Sequence, residues 1–134
     1  MVTTVGSITE MKALLLVAHG SRREQSNEEI RQLATQVAAH SDNRADYTAC
    51  AFLELSEPSI PDGIQDCIDH GATQIEVFPY FLSRGRHVAE DVPELVLQKQ
   101  QSCPDIDIRI SDYFGSRQAV VELVAREAAS SIGD

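Results

Sequence analysis

The feature that most limits what this chain can fold into is an alternation of two hydrophobic periods that starts at Ala13. Ala13-Leu14-Leu15-Leu16-Val17-Ala18 is an unbroken apolar run, the mark of a strand buried on both faces. Ser26 and Glu29 then stand at capping-box spacing. Ile30, Leu33, Ala34, Val37 and Ala38 follow on one face of a helix. Tyr47 to Leu53 reads as a second strand. Ser59-Ile60-Pro61-Asp62 opens a short helix through Ile64, Cys67 and Ile68, stopped by Gly71. Ile75 to Phe81 is a third strand, limited by Pro79 near its end. A helix follows over about Val88 to Gln101, with a kink or break expected at Pro93. Ile106 to Ile110 is a fourth strand, and Ser116 is expected to cap a last helix carrying Val120, Leu123, Val124 and Ala128. The order βαβαβαβα with short connections predicts an α/β fold of three layers. A four-stranded parallel sheet is flanked by helices on both faces, like half of a flavodoxin-like arrangement.

Composition narrows the class further. A chain of 134 residues reads as one domain over residues 12–134, with residues 1–11 as a disordered N-terminal extension and Met11 as an alternative start. The formal charge of −10 argues against sequence-independent binding to nucleic acid or to anionic membranes, which require a cationic surface. Cys50, Cys67 and Cys103 form no close pair, so no disulfide framework, CxxC motif or zinc-ribbon spacing can be written. Cys50 and Cys67 are read as buried thiols, and Cys103 as exposed at a helix end. No apolar run is long enough to span a bilayer, and residues 1–10 have neither a signal-peptide nor a transit-peptide pattern. The expectation is a soluble, cytoplasmic protein.

In open parallel sheets, ligands bind beyond the carboxyl ends of the strands. His19 stands at the end of the first strand, Glu54 at the end of the second, and His87 just past the third. Two imidazoles and a carboxylate are thus expected on one sheet edge. That donor set suits Fe²⁺, Co²⁺, Ni²⁺ or Zn²⁺ and leaves coordination positions open. HExxH and the Cys/His spacings of closed zinc sites are absent. His40 and His70 lie at helix C-termini, where a donor complements the helix dipole, and are read as structural. Arg22, Arg23, Arg84 and Arg86, four of the nine arginines, occupy the first and third strand-end loops. They form a local cationic rim suited to a substrate with several carboxylates or phosphates.

Leu16-Val17-Ala18-His19-Gly20-Ser21, Phe52-Leu53-Glu54 with Pro58-Ser59-Ile60, and Val77 to Leu82 running into Gly85-Arg86-His87-Val88 and Asp91-Val92-Pro93 resemble the small CbiX/SirB-type class II chelatases. The likeness runs from about Lys12 to Ala128. It implies a lyase that inserts Co²⁺ or Fe²⁺ into sirohydrochlorin for cobalamin or sirohaem biosynthesis. By that resemblance His19 and His87 bind metal and act in catalysis, and Glu54 is their acidic partner. Ser21, Arg22, Arg23, Arg84 and Arg86 are placed at the substrate. No cofactor is permanently bound, the metal being a substrate, with Ni²⁺ a further option. Longer members carry two such domains with the site between them, so a single copy implies a homodimer. Two departures stand out, namely the lack of a C-terminal His-rich tail and of a cysteine cluster motif, so no iron–sulfur centre is expected.

Chemistry supports the same assignment. A tetrapyrrole must lose two pyrrole protons while the metal sheds water, and neutral imidazoles can hold metal or accept protons near neutral pH. Two rivals were weighed. A histidine phosphatase-like phosphotransferase would also use a His-Gly after its first strand, but needs an arginine directly before the histidine, where Ala18 stands. A non-catalytic metal or tetrapyrrole carrier would present the same binding residues without turnover.

Overall fold

The computed structural model describes residues 10–133, the side chain of His87 excepted. The N-terminal extension expected before the domain therefore lies outside the described residues, apart from Glu10 and Met11, and Met11 already belongs to the first strand. Four strands, β1 (Met11–Ala18), β2 (Tyr47–Phe52), β3 (Ala72–Pro79) and β4 (Asp107–Ile110), form one parallel sheet in the order β2-β1-β3-β4. Helices α1 (Glu24–Ala39), α2 (Ile60–Asp69), α3 (Val92–Ser102) and α4 (Gln118–Ile132) alternate with them.

β1 reads as a continuous apolar run because it is central. It pairs with β2 on one side and β3 on the other, and Leu15 and Val17 are fully buried. The main core lies on one face, where Ala13, Leu15 and Val17 meet Ile60, Ile64 and Cys67 of α2 and Val92 and Val96 of α3. Each fully buried Leu, Ile or Val there contributes about 1.5–3 kcal/mol of transfer free energy. The same burial pushes the Cys67 thiol up to about 12. Cys50 is half-buried rather than enclosed, because it points to the thinner face, yet burial still raises its thiol pKa. Cys103 is half-buried too, its Sγ donating to the Lys99 carbonyl at the end of α3.

Several local expectations hold. Ser59 caps α2 by accepting from the Asp62 N–H at 3.2 Å, and Gly71 ends that segment with φ +103°. The third helical stretch breaks at the proline. A π-turn, His87–Asp91, precedes α3, and Pro93 occupies the first turn of α3, where its missing N–H costs nothing. His40 and His70 are the C-terminal caps of α1 and α2, and His70 stacks on Tyr47 with ring centroids 3.9 Å apart.

Two expectations are corrected. α1 begins at Glu24, so Ser26 is inside the helix and is not its cap. The chain is turned earlier, by the Arg23 N–H donating to Ser21 Oγ. Ser116 does not cap α4 either. It sits in a 3₁₀ turn, Phe114–Ser116, and its hydroxyl donates back to the Tyr113 carbonyl at 2.6 Å. The expected three layers are present, with α2 and α3 on one face of the sheet and α1 on the other, while α4 has no buried residue.

The packing of α2 on the sheet depends on Gly63. A Cβ there would lie 2.7 Å from Ala51 Cβ and 3.2 Å from Leu15 Cδ1, both in the core. Gly63→Ala is therefore expected to destabilise the fold by about 1–3 kcal/mol through overpacking, read as a lower urea midpoint with an unchanged slope.

Candidate active site at the carboxyl edge of the sheet

The parallel register carries the ends of β1 and β2 to one level, with Ala18 opposite Phe52. Backbone pairing continues past the strands. The Leu53 N–H donates to the Ala18 carbonyl at 2.9 Å, and the Glu54 N–H to the His19 carbonyl at 3.0 Å. These bonds place the two side chains abreast, and His19 Nε2 lies 2.8 Å from Glu54 Oε2. An ionised carboxylate can only accept, so the imidazole Nε2–H is the donor. The side chains are 47% and 50% exposed. A pair this open adds about 0–1 kcal/mol to stability at most, so its importance is chemical. The Phe81 ring meets the His19 ring edge-on at 6.5 Å and forms an apolar flank.

Gly20 makes the pairing possible. It takes φ +95°, and a Cβ on it would fall 1.8 Å from the Glu54 carbonyl oxygen. Any side chain would push apart the two loops that carry His19 and Glu54. After Glu54 the chain enters a left-handed turn at Leu55, φ 66°, an unusual conformation for a branched apolar residue.

Sequence reasoning missed the residues that brace these loops. Asn27, 2% exposed, accepts from the Ser21 N–H at 2.9 Å and donates to the Ser21 carbonyl at 2.8 Å. Its amide also donates to Glu24, which with Arg31 holds the Glu24 carboxyl below its usual range. Arg31 reaches from α1 to the loop after Glu54, donating to Ser56 Oγ at 2.9 Å while its guanidinium lies over the Phe52 ring. The available signal was an asparagine in the first turn of a helix, a side chain that favours local backbone bonds.

The expected residues are placed as follows. His19 and Glu54 come together. His87 opens the π-turn that follows the β3 loop, at the same edge of the sheet, with its side chain outside the description. Among the described residues no group of three His, Cys, Asp or Glu could hold a metal ion, so the described part of the site offers two donors. Arg22, Arg23, Arg84 and Arg86 are exposed in the two loops around the edge. The Ser21 hydroxyl oxygen is engaged by Arg23 within its own turn. Beside the pair, a cavity of about 500 Å³ opens between the π-turn and the segment after β4, lined by Arg84, Val88, Val92, Asp112 and Tyr113 among others. His19 and Glu54 do not line it.

Comparison with known proteins extends this picture. The CbiX family model matches residues 13–131. The sirohydrochlorin ferrochelatase of Priestia megaterium is 28% identical over 114 residues, covering 85% of this chain and 42% of that protein. The sirohydrochlorin cobaltochelatase of Methanocaldococcus jannaschii is 40% identical over 86 residues, covering 64% of this chain and 59% of that protein. Among solved structures, SirB from Bacillus subtilis with Fe³⁺ superposes with a TM-score of 0.80 at 30% identity, covering 92% of this chain and 48% of that one. The match spans 42–59% of the length of four of the curated relatives, and the full length of the sirohydrochlorin cobaltochelatase of Methanosarcina acetivorans, which is 26% identical over 133 residues.

Removing the brace tests whether the histidine loop depends on it. Asn27→Ala leaves the Ser21 N–H and carbonyl without their buried partner, and should cost about 1–3 kcal/mol in chemical denaturation. Asn27→Asp keeps the acceptor for the Ser21 N–H but sets a buried carboxylate oxygen against the Ser21 carbonyl and the Glu24 carboxylate, so it should cost at least as much as Asn27→Ala.

Proposed function

The chain belongs to the CbiX family, and from that premise we propose that it inserts Co²⁺ or Fe²⁺ into sirohydrochlorin as a sirohydrochlorin chelatase. The observation that carries the reading is the His19–Glu54 pair, 2.8 Å apart at the carboxyl edge of the sheet in a chain with this family match.

Metal insertion exchanges two pyrrole N–H protons for one divalent ion, so the site must hold a metal and take up protons. A neutral imidazole serves either purpose near neutral pH. Glu54 orients the His19 ring through Nε2–H and stabilises the imidazolium that forms if His19 takes a proton. Half-exposure of both groups gives such a proton a path to solvent. His87, after the third strand, is the second metal-binding histidine in this reading. The two imidazoles and the carboxylate form an open, weak donor set, which lets the metal leave again, and it does not separate Co²⁺ from Fe²⁺ or Ni²⁺.

The substrate bears many carboxylates, and the protein carries a charge of −10. Arg22, Arg23, Arg84 and Arg86, with Ser21, supply the local positive potential that draws such a molecule to this edge. A single half-open edge cannot enclose a tetrapyrrole, so the working form in this reading is a homodimer in the cytoplasm, the second copy closing the site. The span of about half of the two-domain-sized SirB chain supports that arrangement. No helix among the described residues is long and apolar enough to cross a membrane.

Purified protein incubated with excess sirohydrochlorin and Co²⁺, Fe²⁺ or Ni²⁺ in parallel should give multiple turnovers. Stoichiometric binding without turnover would instead mean a carrier, and metal-independent hydrolysis of p-nitrophenyl phosphate a phosphotransferase. His19→Ala and His87→Ala are expected to abolish insertion while leaving the circular dichroism spectrum unchanged, and near wild-type turnover in either would remove its role. Arg22→Ala combined with Arg86→Ala should raise the KM for sirohydrochlorin more than it lowers kcat. That effect should be larger at low salt, since exposed charges are screened over about 8 Å at physiological ionic strength.

A further inference from the structure

Among the described residues, α4 is the one α-helix with no buried residue, although its sequence carries an apolar side. Val120, Val121, Val124, Ala128 and Ile132 fall along one side of it at helical spacing. Val121, Val124 and Ile132 are nevertheless 60%, 61% and 80% exposed. The sheet has the complementary defect. α1 packs over β2, and beside it an apolar hollow of about 320 Å³ is lined by Leu14, Leu16, Leu33, Val37, Phe78 and Phe114, together with Tyr80. That hollow shares Leu14, Val37 and Phe114 with a wider opening of about 790 Å³, bounded by the C-terminal end of α1 on one side and by Leu123 of α4 on the other. The result is an apolar groove along the sheet between α1 and α4.

The turn before α4 is held from two sides. Phe114 stacks on Tyr80, centroids 5.6 Å apart, and also meets Phe78 at 6.0 Å. The Arg117 guanidinium lies 5.1 Å from the centre of the Phe78 ring. On the other side of the turn the Gly115 N–H donates to the Phe81 carbonyl at 2.8 Å, and the chain passes so close that a Cβ on Gly115 would lie 1.8 Å from the Leu82 carbonyl oxygen. The turn is thus clamped between an aromatic stack and a backbone contact.

We propose that the groove is filled by α4 of a second copy of this chain, the two copies exchanging their last helices across a two-fold axis. One operation then buries both unpartnered surfaces, as an isologous interface must. The area is sufficient. Val121, Val124 and Ile132, each with on the order of 100 Å² to lose, give on the order of 300 Å² per helix. A matching area on the groove, counted twice for the exchange, brings the total to on the order of 1,200 Å², the lower end of standard stable interfaces. The inference rests on the dimeric reading above and adds to it the segment that makes the dimer.

The full-length protein is examined by light scattering, and by disulfide trapping between Tyr80→Cys and Val124→Cys carried on separate chains. The wild type should be a dimer. Oxidising the mixed single variants should give a band at twice the 14.7 kDa chain mass, absent when either is replaced by wild type. Val121→Asp with Val124→Asp, on a helix that buries nothing in its own domain, should leave the folded circular dichroism spectrum intact, although losing the partner lowers the melting temperature. It should raise the dimer dissociation constant roughly a hundredfold or more, each buried carboxylate counting at least a factor of ten. A dimer unaffected by the double variant, with no mixed cross-link, would overturn the helix exchange and leave the dimeric reading standing. A strictly monomeric wild type would overturn both. Rapid cross-linking within one chain that carries both cysteines, as a monomer, would show α4 closing on its own sheet and would also end the proposal.

Discussion

The in-register parallel pairing of β1 with β2 is the constraint on which the site depends. Ala18 faces Phe52, and two backbone hydrogen bonds beyond the strand ends bring His19 level with Glu54. A register shift of one residue would reverse the faces of every side chain on the strand and part the pair. The register is protected by burial, because Leu15, Val17 and Ala51 are all enclosed on the α2 side. Core packing and site geometry are therefore consequences of one interaction, and a change that loosens either loosens both.

Close backbone approach supplies the rest of the precision. Gly20 lets the His19 loop lie against the Glu54 carbonyl, Gly63 lets α2 lie against Ala51 and Leu15, and Gly115 lets the turn before α4 lie against Leu82. The loops themselves are held from α1. Asn27 closes the Ser21 backbone in a pair of hydrogen bonds, and Arg31 reaches the loop after β2. α1 so works as a brace for two of the three strand-end segments, while its outer face stays in solvent. The exposed arginines of the rim are not tied in the same way to a single geometry, which suits them to long-range attraction more than to fixed contacts.

The chain's electrostatics divide along the same lines. An overall charge of −10 is combined with four exposed arginines in the loops around one edge of the sheet, which makes that edge locally positive. The His19–Glu54 pair sits at that edge, half in water. Among the described residues, the groove beside α1 stays open and α4 has no buried residue, so this face of the sheet is the less covered one.

Much of this was legible in the residues. The strand buried on both faces, the helix opened by Ser59-Ile60-Pro61, the break at Pro93 and the convergence of His19 and Glu54 follow from local rules, because period, capping and strand-end position are properties of short segments. The match to a family was legible for the same reason, being carried by short motifs in a set order. Other features depend on groups far apart in the chain. Asn27 reads as an ordinary polar helix residue until the fold sets Ser21 against it, and the starts of α1 and α4 moved because Ser21 and Ser116 made other hydrogen bonds. The apolar side of α4 was visible in its spacing, but what that side meets was not. Periodicity says that a face must be buried, and only the path of the backbone through the clamped turn at Phe114–Ser116 decides against which surface.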